Sequence, residues 1–545
     1  MKLLLCLFAI IFALAPVSAG ADEATDAGLS VPANVRVLSR QWRVDLIWDE
    51  PSRWSATPAL VFEVERAANA TGPFKKCHNG YLPYCGHSDF LGEGGQAFHY
   101  RVRMVEFEKM SEPVVRKVSA WTPTVFAISQ PLDEDKLLIE MQEAGFRYFY
   151  DAAHPVSGLP RSQSHDWARD WAATSAIGMG IFNIVLGVER GFVSRDDAAR
   201  RVLRITDFLL HKAERYHGAY SHLINARSGK TIPFMPKDDG ADLLETAYLI
   251  QGLLFAREYF DGSGDVEARI RQHANEIWHG VDWTWFVRTS DFGDPVLSWH
   301  WSPKHEWAMG LNCHGFGETQ ILYLLALSSP THRVDDELYW KGWRNPLFGG
   351  KNVHYGVNLP LQRIFNVCLF PAHYTYMGID PKAIGYDGLT YQEIFARWCT
   401  AQMCYMASRK DDFKGYGTAL WGLTASANKS GYGYKAHAPG VEDDGTIAPT
   451  AALSSMPYVP NEAKACMMEM FTKHGKALWG PYGFFDAFNL TQDWVADRMY
   501  ICIDVGPIGP MIENHLTGKC WEIFMKAPEV AETLRRIRTT EPKLR

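Results

Sequence analysis

Two kinds of helical segment alternate along most of this chain, and the alternation limits the folds open to it. The stretch "WAATSAIGMGIFNIVLGVERG", beginning at Trp171, is apolar nearly all round, whereas "SRDDAARRVLRITDFLLHKAE", beginning at Ser194, is apolar on one side only. A helix apolar on every side must be enclosed by other elements; an amphipathic one lies at a surface with its stripe turned inward. From about Asp133 onward, apolar residues recur at three- and four-residue spacing in roughly a dozen segments. Among them are "EDKLLIEMQEAGFRYFYDAA", "ADLLETAYLIQGLLFAREYF" and "PNEAKACMMEMFTKHG". The pattern predicts a mainly α fold over residues 133–545, with inner and outer helices paired as hairpins in two concentric layers. An (α/α)6 toroid satisfies that requirement. Its inner-helix ends and connecting loops gather at one mouth, where a polymer can lie.

Residues 30–122 follow another rhythm. "NVRVLSRQWRVDLIWDEP", "LVFEVERAA" and "AFHYRVRMVEF" are short runs of alternating apolar residues with turn residues between them, as in a small β-sandwich. Their pattern resembles fibronectin type III modules. The first 19 residues read as a secretory signal: Lys2, an apolar run from Leu3 to Leu14, and small residues ending at Ala19. A periplasmic or secreted protein with no membrane span after cleavage is expected. Of 10 cysteines, Cys6 lies in that leader, and no CxxC pair occurs. Cys77 and Cys85 bracket a short loop and are candidates for one disulfide in an oxidising compartment; the others sit mainly in apolar helical contexts.

Net charge is −7 without long runs, which excludes the basic face that nucleic acid requires. Aromatics make up 13% of the residues, and side chains of that type stack on sugar rings when they line a cleft. The chemistry-bearing residues are acids at the starts of apolar helices. "HAPGVEDDGTIAPTAALSSMPY" places Glu442, Asp443 and Asp444 between Gly440 and Gly445, ahead of an apolar helix with Pro449 in its first turn. Three adjacent carboxylates repel one another, so the loop reads as catalytic, as a helix cap, or as a cation loop lacking the alternating acids of calcium sites. In "PKDDGADLLETAYLIQGLL", Asp242 and Glu245 are three residues apart and are expected on one helix face. A glutamic acid in so apolar a setting gains the raised pKa of a general acid; Asp242 also reads as a helix-start charge. "SHDWARDWAATSAIGMG" contributes Asp166 and Asp170, with Arg169 as an ion-pair partner. "WHWSPKHEWAMGLNCHGFGETQ" contributes His300, Trp301 and Glu318. The histidines lack HExxH spacing, so no metal and no cofactor is expected. No P-loop, dinucleotide or GxSxG motif occurs in the context its chemistry needs. Two carboxyls across a cleft suffice to hydrolyse a glycosidic bond, one protonating the leaving oxygen and the other activating water.

"WHWSPKHEWAM", "LYLLALSSPTH", "PAHYTYMGIDP", "GYGTALWGLTAS", "DDGTIAPTAALSSMPY", "LWGPYGFFDAFNLT" and "IDVGPIGPMIENHLTG" resemble the glucoamylase-like domain over residues 135 to 540. Within it they are most similar to the bacterial endo-β-1,2-glucanases of glycoside hydrolase family 144. The resemblance implies an (α/α)6 barrel, a β-1,2-glucan or sophoro-oligosaccharide substrate, hydrolysis with inversion, and export. Matched position by position, it implies Asp170, Glu245 and Asp443 as essential acids. It implies His300, Trp301, Glu318, His373, Tyr374, Trp421 and His437 as sugar contacts. Glu245 is expected as general acid, with Asp443 or Asp170 handling the water. Asp444 stands where the family pattern leads one to expect asparagine; it and Asp242 are further candidates for binding. Three other readings remain: another β-glucan linkage or exo action on the same barrel, a polysaccharide lyase, and a secreted glycan-binding protein without activity.

Overall fold

The structure, a computed structural model, describes residues 28–51, 60–109, 112–164, 170–345, 348–429 and 433–540. The signal segment and the acidic candidate Asp166 with Arg169 lie outside the described residues. Eight strands come first: β1 (Arg36–Arg40), β2 (Arg43–Ile47), β3 (Leu60–Ala67), β4 (Lys75–Lys76), β5 (Gly86–Phe90), β6 (Ala97–Lys109), β7 (Glu112–Val118) and β8 (Val125–Ile128). They form two antiparallel sheets, β1-β2-β5 and β4-β3-β6-β7, with β8 also paired to β6. Alternation explains the layering: Val44 and Leu46 of one sheet meet Phe62, Val64, Val102 and Met104 of the other in one core.

Cys77 and Cys85 are both free, contrary to the expected bridge. Cys77 follows β4 at the edge of the larger sheet, with its thiol 3.5 Å from Val64 O. Cys85 leads into β5 in the smaller sheet, where its carbonyl accepts from the Trp48 amide. The nearness of the two cysteines in sequence reflects a crossover, not a shared turn.

The β region does not hang free of the helices. Its core continues through Tyr148, Phe149, Tyr482 and Tyr500 of the helical part. Arg43, 1% exposed, reaches across to Glu140 (2.7 Å) while pairing with Asp45 (3.2 Å), and its guanidinium lies 4.4 Å from the Trp479 ring centre. A buried guanidinium with two carboxylates and an aromatic face is hard to remove, because the acids stay behind unpaired. Arg40 and Arg147 also face Asp45, at 3.7 and 3.6 Å, and soften that loss. Arg43→Ala is therefore expected to cost about 2 kcal/mol, read by urea denaturation; a change below about 0.5 kcal/mol would remove this cluster from the forces joining the two parts.

Thirteen α-helices follow: α1 (Glu134–Tyr150), α2 (Thr174–Glu189), α3 (Arg195–His211), α4 (Leu243–Tyr259), α5 (Asp265–His279), α6 (Gln320–Ser328), α7 (Tyr391–Ser408), α8 (Pro449–Leu453), α9 (Pro460–Leu478), α10 (Cys502–Val505), α11 (Ile508–Leu516), α12 (Lys519–Phe524) and α13 (Pro528–Thr540). The two helix types separate as their sequences require. α2 is buried from Thr174 through Gly187, whereas α3, capped by Ser194 onto the Asp197 amide, buries one side only. α2 packs on α4 and α3 on α5; α6 continues from α4, and α11 packs on α1, α2 and α8. α2 and α4 touch backbone to backbone. A Cβ on Gly178 would lie 2.1 Å from the Tyr248 carbonyl oxygen, and one on Gly252 would lie 2.4 Å from the Gly178 oxygen. One turn along, Phe182 and Phe255 stack with ring centres 4.0 Å apart. This close crossing places the first turn of α2 beside the first turn of α4. Among the described residues no helix is long and apolar enough to cross a membrane.

Candidate functional site

The carboxyl-rich site is built at the start of α4. Asp242 is not on the helix face beside Glu245, as its spacing suggested, but is the N-cap: its Oδ1 accepts from the Glu245 amide at 2.9 Å. A short antiparallel pair, Ala241–Asp242 with His300–Trp301, brings His300 to it from 58 residues further along the chain. His300 Nε2 lies 3.1 Å from Asp242 Oδ2, and His222 Nδ1 lies 3.1 Å from the same oxygen. Asp238, 2% exposed, is the fourth member, 3.4 Å from His300 and 3.6 Å from His222. Burial alone would raise the Asp242 carboxyl, but the imidazoles of His300 and His222 hold it well below the usual range. Burial likewise opposes charge on the imidazoles, yet the surrounding carboxylates carry His222 up to about 9 and His300 up to about 10.

Glu245 sits in the first turn of α4. Its Oε2 accepts the Ser175 amide of α2 at 2.7 Å, and its Oε1 faces His222 Nε2 at 4.0 Å. The Ser175 amide is one of the free donors at a helix start, where the dipole favours an anion. Burial pushes the Glu245 carboxyl up, against the pull of His222 and with a push from Asp242. Glu318 lies close enough to feel these charges: burial first, then Glu245 and Asp242, drive its carboxyl up to about 8. It stands just ahead of α6, and its backbone carbonyl accepts from Tyr248 Oη of α4 at 2.7 Å. Tyr374 packs its ring on Tyr248, 5.8 Å between centres, and points its hydroxyl toward the buried Asp504 at 3.5 Å.

The acidic loop forms a second cluster. Gly440, Glu442 and Gly445 have φ of 72°, 52° and 90°, so two glycines and one strained glutamate turn the chain. The three charges go to three different partners. Glu442 pairs with Lys435 at 2.6 Å. Asp444 accepts from the Thr446 amide and hydroxyl at 3.1 and 2.6 Å. Asp443 accepts from Tyr405 Oη at 2.7 Å and Tyr416 Oη at 2.5 Å. None of them caps α8, whose N-cap is Ala448. A hollow of about 380 Å³ opens beside them, lined by Tyr405, Arg409, Lys435 and Asp443. His437 holds the loop from below, its Nδ1 on the Glu442 carbonyl at 2.9 Å. Cys368 packs on Ala438 beside the acidic loop. Burial, then the charge of Glu318, push its thiol up to about 12.

Asp242, Glu245, His300 and Glu318 therefore come together, with Trp301 on the adjoining strand beside His217 and Trp285. Asp443, Asp444 and His437 form the neighbouring cluster. Three expected residues stand apart. Asp170 is held by Arg227 (2.9 Å) and His154 (2.9 Å), and against the push of burial these partners lower its carboxyl. It is an ion-paired acid in this structure. His373 and Trp421 are fully enclosed, His373 on Ser455 Oγ at 2.9 Å and Trp421 donating to the Glu462 carbonyl at 3.3 Å. The sequence reading missed His222, Asp238, Tyr405 and Tyr416. Asp238 was visible in "KDDGAD" as an acid before a helix; the others carry no local signal.

Residues 310–528 match a family model described as "Putative glucoamylase". Over 473 residues the chain is 37% identical to an exo β-1,2-glucooligosaccharide sophorohydrolase acting at the non-reducing end, from Parabacteroides distasonis; the match covers 83% of this chain and 64% of that protein. The chain thus spans under two thirds of that relative. A crystal structure of a β-1,2-glucanase from Parabacteroides distasonis superposes with a TM-score of 0.85 at 33% identity, covering 95% of this chain and 74% of the other. An endo-β-1,2-glucanase from Chitinophaga pinensis, solved with sophorotriose and glucose, gives 0.70 at 36% identity, covering 74% of this chain and 98% of the other.

Proposed function

Because this chain belongs to the glucoamylase-like family, we propose that it is a glycoside hydrolase cleaving β-1,2-glucosidic bonds in glucans or sophoro-oligosaccharides. The observation that carries this reading is Glu318. It is a carboxyl near neutrality, set among ionised acids, on a scaffold that aligns along almost its whole length with a β-1,2-glucanase. In this reading the helices close into an (α/α)6 ring, which the return of α11 onto α2 supports. Glu318 is the general acid, because a group must still hold its proton at working pH to give it to the leaving oxygen. Asp443 is the general base, held in position by two tyrosine hydroxyls. Glu245, expected from sequence to be the acid, instead helps keep Glu318 protonated by its own negative charge. With acid and base as separate residues and no covalent step, the reaction inverts the anomeric centre.

The test is incubation with linear and cyclic β-1,2-glucans, sophoro-oligosaccharides and β-1,3- or β-1,4-linked controls, followed by separation of products. Reducing ends released from β-1,2 substrates alone are expected, with the α-anomer appearing first by NMR. Hydrolysis only of another linkage, or none, overturns the substrate. Exo action is a second reading with its own support: the similarity to the Parabacteroides proteins runs through the β region, while the Chitinophaga endo-enzyme matches only 74% of the chain. Sophorose accumulating from the first minutes marks exo action, and a ladder of sizes marks endo. Export follows from the leader-like first residues, and fractionation of expressing cells checks it.

A further inference from the structure

We propose that His222, Asp238, Asp242 and His300 form a binding site for one divalent cation of the zinc type at the start of α4. The four offer one atom each, all within 4.8 Å of one another. The four imidazole-to-carboxylate separations are 3.1, 3.6, 3.1 and 3.4 Å. Ligands held about 2.0–2.1 Å from a tetrahedral zinc stand about 3.3 Å apart. Two imidazoles and two carboxylates are a nitrogen–oxygen set that suits zinc.

Hydrogen bonding alone leaves this cluster unexplained. Neither carboxylate oxygen of Asp238 and neither ring nitrogen of His300 has a hydrogen-bond partner, although Asp238 is 2% and His300 6% exposed. His300 Nε2 sits between two carboxylate oxygens, 3.1 Å from Asp242 Oδ2 and 3.4 Å from Asp238 Oδ2. Two protons or one dication would each balance the two aspartates, and the geometry favours the dication. The outer contacts fit as well. Asp242 keeps Oδ1 on the Glu245 amide, and its Oδ2 faces both imidazoles, with His222 Nδ1 within hydrogen-bond distance at 3.1 Å. His222 has its other nitrogen 4.0 Å from Glu245 Oε1, and its ring is held by stacking on Phe234 at 3.9 Å. Asp238 is fixed by a turn in which its carbonyl accepts from Phe234 and its amide donates to Met235. No local motif announces this site, because its ligands come from a loop, a turn, a helix cap and a distant strand.

The experiment takes the full chain, expressed without a histidine tag, and measures metal by mass spectrometry after dialysis against metal-free buffer. About one zinc per chain is expected. Stripping with dipicolinate should lower the Tm by about 5 °C, and zinc, but not magnesium, should restore it. Asp238→Asn should bind zinc at least about tenfold more weakly than wild type in a competition titration. Less than about 0.1 zinc per chain, together with a Tm that zinc does not move, overturns the proposal. So does undiminished affinity in Asp238→Asn, which would place the zinc elsewhere. The wild-type arms decide the matter even if the variant fails to fold. Hydrolysis assayed on the same samples separates this site from the substrate reading: zinc bound without β-1,2 activity counts against the substrate alone, and activity in a zinc-free protein that ignores added zinc counts against the cation alone.

Discussion

Glu318→Gln is expected to lower kcat by about a thousandfold on β-1,2-linked substrate, since a positioned general acid contributes about 10²–10⁴ in rate. Glutamine keeps the shape and cannot give up a proton. In wild type, rate should fall as pH rises through about 8, where Glu318 loses its proton, and the variant should lose that limb. The variant's stability moves opposite to its activity. The folded carboxyl ionises near 8, and the unfolded one near its ordinary 4.5, so folding holds the proton more tightly. The stabilising effect of that tighter hold is complete below the unfolded value and is lost as pH rises toward the folded one. The neutral glutamine has no such loss, so at pH 7 Glu318→Gln should be more stable than wild type by about 2 kcal/mol, the gap closing near pH 4. Loss of activity with a gain of stability marks a strained catalytic carboxyl. Activity within tenfold of wild type would move the acid role to Glu245, and a loss of both would make Glu318 a structural group.

Gly178→Ala is expected to be strongly destabilising. The added Cβ falls 2.1 Å from the Tyr248 oxygen and 2.8 Å from its carbonyl carbon. These are backbone atoms in a packed helix and do not rotate aside, so α2 and α4 must separate. The cost should be about 3 kcal/mol or more by urea denaturation. Gly252→Ala meets the same crossing from the other side and should cost a similar amount. The double variant should cost less than the sum, because the helices part only once. Gly264→Ala, with nothing within 4 Å of the new Cβ, is the control and should stay within about 1 kcal/mol. Separation also draws the Ser175 amide away from Glu245, so activity should fall in the molecules that still fold. A Gly178→Ala protein as stable as the control would mean the two backbones do not meet as described.

Periodicity in the chain was enough to distinguish enclosed helices from surface ones: the unbroken apolar character of α2 and the single stripe of α3 are local properties, and burial followed them. The acids at helix starts were legible for the same reason, since a charge ahead of an apolar run is a departure visible within a few residues. Asp242, Glu245, Glu318 and Asp443 were all found this way. Which acids share a site was not legible. Asp170 has the same local appearance as Glu245, and only the fold shows it neutralised by Arg227 and His154. The family resemblance implied His373 and Trp421 as sugar contacts, and the fold buries both side chains. His222 and Asp238 were overlooked because their partners are a helix cap and a strand far along the chain. The sequence by itself determined the alternation of helices, the β region and the stock of carboxyls, because each depends on neighbours a few residues away. The tertiary structure decided which of those carboxyls hold a proton, which are paired and which face one another, because charge and desolvation act through space between segments that the chain keeps far apart.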